Sequence, residues 1–172
     1  MPASLPAPYG VQMLYDDGAL LVLDKPSGLL TVPNHPGDTR TALGAAEDWV
    51  AQRAPRRRGR TRLVAVHRLD RETSGLLLVA HNLHVREALQ AAWDRVEKTY
   101  LTVVDGVPSP AQGTVSRHLR ERPDLAVEIV PPNAGGEYAV THFRTLAVRN
   151  HRALLAVRLE TGRRHQIRVH LA

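Results

Sequence analysis

Residues 76–80, Leu-Leu-Leu-Val-Ala, form an unbroken apolar run, and the eight residues before the joint at Gly75 are polar except for Leu69. An apolar run this short, bounded by a glycine and turn residues, reads as a buried strand. The polar half, His67-Arg68-Leu69-Asp70-Arg71-Glu72-Thr73-Ser74, carries a carboxylate between two arginines. Any fold of this chain therefore holds Asp70 at the mouth of a rigid strand. A carboxylate so placed can serve as a nucleophile or a general base. It can equally be half of a structural ion pair.

The rest of the chain alternates short strands, loops and a few helices. Residues 1–13 read as a flexible leader. Leu20–Leu23 and Leu29–Val32 read as strands, separated by the turn Asp24-Lys25-Pro26-Ser27-Gly28. Thr41–Gln52 reads as a helix with Leu43, Ala46 and Val50 on one face, and Asn82 caps a second helix running to about Arg95. Lys98–Val104 alternates as a strand. Thr114–Leu119 and Ala126–Val130 are weaker strands. Glu137–Val148 and His151–Glu160 are long alternating segments joined at Arg149-Asn150, a hairpin signal. Arg163–Leu171 is basic and compatible with a helix. Strands joined by short loops predict an α+β domain with a mainly antiparallel mixed sheet flanked by a few helices.

Composition narrows the chemistry. The 172 residues include no cysteine, which excludes disulfides, thiolate metal sites and cysteine nucleophiles. No segment approaches 18 consecutive apolar residues, and the proline-broken start is not a signal peptide, so a cytoplasmic protein is expected. The formal charge is +6, and all the basic residues except Lys25 and Lys98 are arginines. Six of them fall between Arg53 and Arg62, including Arg56, Arg57 and Arg58. Arginine pairs bidentately with phosphate and stacks on bases, so this run reads as a phosphate-gripping arm for a polyanion. Codon bias and a merely solvated loop are the plainer readings.

No glycine-rich phosphate loop and no H-E-x-x-H occur, and His165 and His170 are spaced wrongly for one helical face. No metal is expected. The kinase-like tetrapeptide His67–Asp70 lacks the kinase loop's Asp placement and its downstream Asn and Asp-Phe-Gly. A different resemblance covers about residues 14–172. The stretch 67–77 resembles the signature of RluA-family pseudouridine synthases. Asp24–Gly28 resembles that family's first motif, and Glu97-Lys98-Thr99-Tyr100 its Lys-x-Tyr strand. Ala139-Val140-Thr141 with Phe143 resembles the next strand, and Thr161–His170 resembles the third motif. All five blocks occur in the family's order.

This resemblance implies a pseudouridine-synthase catalytic domain over 14–172 that isomerises uridine to pseudouridine in rRNA or tRNA as a monomer, without cofactor or metal. It implies that Asp70 is the catalytic aspartate, by attack on C1′, attack on C6 or removal of the C2′ proton. Arg168 corresponds to the arginine that pairs with the aspartate, and Tyr100 to the aromatic that lies against the target base. Arg68 corresponds to the residue that enters the RNA stack when uridine flips out; a plain phosphate contact is the alternative. Lys25, Arg163, His165 and Gln166 are RNA-contacting or loop-fixing candidates. Arg164 departs from the family's Thr or Ser at its position. The family continues past the position of Ala172, so the domain is C-terminally incomplete relative to it. A catalytically impaired or non-catalytic RNA-binding protein on the same scaffold is the competing reading.

Overall fold

A computed structural model describes residues 7–53 and 62–172. The chain divides into two compact units, 1–93 and 94–172, each with its own sheet.

The first sheet contains β1 (Gln12–Asp16), β2 (Leu20–Lys25), β3 (Val64–Ala65) and β4 (Gly75–Ala80), in the order β1-β2-β4-β3. The expected strand after Gly75 is β4, and it pairs antiparallel with β2 from Leu20↔Ala80 to Lys25↔Gly75. Alternate residues of these strands, Leu21, Leu23, Leu77 and Val79, point to one face and are fully buried. Helix α1 (Ala42–Arg53) covers them. Its buried positions Ala42, Ala45, Ala46, Trp49 and Val50 follow the i, i+3, i+4, i+7, i+8 spacing of a helical stripe. Four of the five are small or branched, which lets the helix lie close to the sheet. Helix α2 (Leu83–Ala91) follows β4, and the Asn82 side chain accepts from the Val85 amide, as an N-cap should.

Two expectations change here. Residues 11–13 of the expected leader belong to the fold: Val11 is buried in the core, and β1 begins at Gln12. Tertiary pairing with β2 makes a strand of a segment that shows no alternation of its own. The strand expected at Leu29–Val32 is reduced to an isolated parallel bridge, Leu30↔Thr41. Its neighbours instead bond the start of α1, with Ala42 and Leu43 amides donating to Leu30 and Thr31 carbonyls.

The second sheet contains β5 (Lys98–Asp105), β6 (Gln112–Glu121), β7 (Val127–Val130), β8 (Glu137–Arg149) and β9 (Arg152–Leu159), in the order β5-β9-β8-β6-β7. The β8–β9 hairpin turns on Asn150 and His151, both left-handed at φ 50° and 59°, the geometry of a two-residue turn matched to strand twist. Ala153, Leu155, Val157 and Leu159 alternate inward along β9, and Tyr100, Val104, Phe143, Ile167 and Leu171 pack on them. Helix α3 (Gln166–His170) lies on this face against β8. The α+β class with antiparallel pairing is what the structure has, but there are two sheets and among the described residues neither is mixed. Every ladder in both sheets is antiparallel. Among the described residues no helix is long and apolar enough to cross a membrane.

Candidate functional site

Asp70 stands in the loop between β3 and β4, and the backbone on both sides of it is held. One residue before it, the Leu69 carbonyl accepts from the Thr31 hydroxyl at 2.8 Å, and the Leu69 amide donates back to the same oxygen at 3.1 Å. One residue after it, the Arg71 carbonyl accepts from the Lys25 ammonium at 3.1 Å and from the Gly28 amide at 2.8 Å. Next along, the Glu72 carbonyl accepts from the Ser27 hydroxyl at 2.9 Å. The Arg71 side chain returns to the Gly28 carbonyl, and the Thr73 amide closes a turn on the Asp70 carbonyl. Residues 25–31 therefore form a template on which the Asp70 loop is set, and the Asp70 side chain is half-buried upon it.

Lys25 is the centre of that template. It is completely buried, and its ammonium donates to the carbonyls of Pro26, Leu29 and Arg71. An ammonium has three donors, so the three carbonyls use them all. Burial pulls its pKa below the usual lysine value, and the carboxylates of Glu72 and Asp70 act in the opposite sense. Lys25 was one of the RNA-contacting candidates on sequence. With no exposed surface it cannot touch RNA in this conformation, and its bonds are those of the loop-fixing alternative.

His67 sets the start of the loop. Its Nε2 accepts from the Leu78 amide at 3.2 Å, which requires the neutral tautomer with the proton on Nδ1. The ring stacks on Trp93 with centroids 4.9 Å apart. Burial holds its pKa below the usual histidine value, partly opposed by a hydrogen bond to the Arg68 backbone. Arg68 itself is exposed and donates to the Asn34 side chain at 3.2 Å. Asn34 lies in a loop closed by Asp38, whose carboxylate accepts from the Asn34 and His35 amides and is held below the ordinary aspartate range by those bonds. Arg56, Arg57 and Arg58 lie outside the described residues.

The other candidates belong to the second unit. Tyr100 is half-buried on β5, on the face that carries α3, with its ring against the β9 core. Gln166 opens α3 and is 2% exposed, so it too has no surface to offer RNA. Its Oε1 accepts from the Arg163 amide and the Thr161 hydroxyl, both at 2.9 Å. Its Nε2 donates to the Val140 carbonyl at 3.0 Å and to the Thr141 hydroxyl at 2.9 Å. A backbone amide on one side and a carbonyl on the other leave only one orientation for this amide. His165 precedes the helix in the left-handed region at φ 52°, which turns the chain down onto β8. Arg163 pairs with Glu137 at 2.6 Å, and Arg164 with Glu121 at 2.8 Å. Arg168, on the middle of α3, is exposed.

Sequence reasoning gave no site role to Thr31, Thr141 or His170, all of them buried. A signal existed for the first two. Each is a hydroxyl inside an apolar stretch, and a buried hydroxyl is there to bond something specific.

Comparison with known proteins follows the same residues. Residues 19–172 match the family described as RNA pseudouridylate synthase. The chain is 38% identical over 167 residues to the ribosomal large subunit pseudouridine synthase D of Xanthomonas campestris, covering 94% of this chain and 48% of that protein. It is 33% identical over 170 residues to an uncharacterized RNA pseudouridine synthase of Bacillus subtilis, covering 95% and 54%. Among solved structures, human RNA pseudouridylate synthase domain containing 4 superposes with a TM-score of 0.75 at 25% identity, over 93% of this chain and 63% of that one. The chain spans about half the length of the curated relatives it matches. A family match running from β2 to the last residue, including the clamped Asp70 loop and all of the second sheet, means that the chain belongs to the RNA pseudouridylate synthase family.

Proposed function

We propose that this chain isomerises uridine to pseudouridine in structured RNA, with Asp70 as its nucleophile or base. The observation that carries the proposal is the clamp on Leu69 and Arg71, which holds the backbone on either side of one half-buried carboxylate. The reaction breaks the C1′–N1 bond, turns the base and joins C1′ to C5. The C5 proton leaves and N1 gains one, so atoms balance with no external reactant. Such a sequence rewards a single group fixed in position through several steps.

The target base in a stacked helix is out of reach until it flips. Arg68, exposed beside the Asp70 loop, suits the gap that is left, because its plane stacks and its charge meets phosphate. The roles of Tyr100 against the base and of Arg168 as the cation for Asp70 rest on the family resemblance. The arginines from 53 to 62, with Arg163 and His165, supply the phosphate contacts in this reading. Similarity to a ribosomal large subunit enzyme makes ribosomal RNA the first substrate to test and transfer RNA the second.

The test uses RNA labelled with tritium at uridine C5, since only C–C bond formation there releases the label. The wild-type chain releases tritium, and Asp70→Asn loses about a thousandfold or more in rate while RNA affinity changes by less than about threefold. Wild-type binding of RNA with no release in ribosomal or transfer RNA overturns the proposal in favour of an RNA-binding protein on this scaffold.

A further inference from the structure

One hydroxyl holds both ends of α3. The Thr141 side chain is fully buried on the inward face of β8. Its Oγ1 accepts from Gln166, the first residue of the helix, and meets Nδ1 of His170, the last, at 2.9 Å in each case. The orientation of Gln166 is already set by the Arg163 amide and the Val140 carbonyl, so Gln166 is the donor toward Thr141. The hydroxyl has both a proton and a second lone pair left, so it bonds Nδ1 of His170 in either neutral tautomer. A helix of five residues has little strength of its own. Its direction is set by what its two ends are tied to. Arg168 lies between those ends.

We propose that Thr141 is a positioning residue for Arg168, acting by pinning both ends of α3 to β8. This rests on the reading of Arg168 as the cation of an isomerase site, and it adds to that machinery a residue that acts through the helix carrying Arg168. A valine in its place has nearly the same shape and no hydroxyl. It leaves the Gln166 amide and the His170 nitrogen without their shared partner in a buried site, and the helix ends come loose together. A serine keeps the hydroxyl and loses only a methyl group.

The experiment compares Thr141→Val and Thr141→Ser in the full chain by amide hydrogen exchange and by tritium release. In Thr141→Val, the amides of Val169 and Leu171, which close α3 on His165 and Ile167, exchange about tenfold faster or more, while those of β9 keep their protection. The same variant lowers kcat about tenfold or more with KM little changed, and adds no further loss to Arg168→Met. Thr141→Ser recovers most of both effects. Equal exchange at Val169 and Leu171 in the two variants, or full additivity with Arg168→Met, overturns the proposal. A wild-type chain that releases no tritium overturns the isomerase reading instead, and the exchange comparison still decides whether Thr141 pins the helix.

Discussion

The Lys25 ammonium donates to the Arg71 carbonyl across 46 residues of sequence, and the residue between the two clamped neighbours Leu69 and Arg71 is Asp70. A fully buried cation with three carbonyl acceptors is a rigid joint. The loop that carries the candidate nucleophile is anchored to the end of β2 by a side chain that never reaches solvent.

Lys25→Met keeps the length and apolar stem but takes the ammonium away from the carbonyls of Pro26, Leu29 and Arg71, of which Arg71 keeps the Gly28 amide. Each loses a bond from a fully buried cation, and the effects overlap. The expected loss is about 3 kcal/mol, read as a lower urea midpoint with an unchanged slope. A midpoint within error of wild type counts against the joint.

Thr31→Val is close to isosteric and removes both bonds to Leu69. Destabilisation of about 1–3 kcal/mol is expected, because the Leu69 amide and carbonyl are left buried and unpaired. Thr31→Ser, which retains the hydroxyl, stays within about 0.5–1.5 kcal/mol of wild type. Calorimetry on the two variants side by side checks the difference.

Gly75 sits at φ 124°, at the joint between the polar loop and β4, opposite Lys25 in the ladder. A Cβ there would meet no atom within 4 Å, so the barrier to substitution is the backbone and not space. Gly75→Ala therefore costs about 1–3 kcal/mol through strain alone, and a bulkier Gly75→Val costs more. Gly136 makes the opposite case. Its added Cβ would come within 2.5 Å of a Val130 methyl, so Gly136→Ala pushes the Val130 side chain at the end of β7 out of place. Thermal melts of Gly75→Ala and Gly136→Ala should both fall, with altered packing around Val130 in the second only.

His67 and His170 are both held below the usual histidine pKa, in each case mainly by burial, with the Arg117 charge adding to the effect at His170. Both are neutral in the folded chain and take up protons more readily once unfolded. The unfolded state then binds more protons as pH drops below the ordinary histidine value of about 6.5, so stability present above that value is lost progressively below it. Urea midpoints measured from pH 7.5 down to pH 5 should fall. His170→Asn, which removes one of the two groups, should show a shallower fall, and a slope equal to wild type sinks the assignment.

Strand β4, the Asn82 cap, the alternating strands β5, β8 and β9 and the position of Asp70 at the mouth of a strand were legible in the residue order. Their signals are local: a run of apolar side chains, a short polar side chain before a helix, a period of two. The five motif blocks and their order also identified the family from residues alone. What the order could not carry is partnership at a distance. Lys25 reads as a cation for RNA until the fold buries it among three carbonyls, and Gln166 reads as a polar surface group until its amide is enclosed between Arg163 and Val140. Leu29–Val32 has strand composition, yet it lies against the start of α1, because the hydrogen-bonding groups at the head of that helix need partners. Gln12–Asp16 has no strand pattern and becomes β1 because β2 offers it an edge. Sequence alone determined which residues have the chemistry. The tertiary structure decided which of them are exposed and which are held, since burial and long-range hydrogen bonds exist only once the chain has closed on itself.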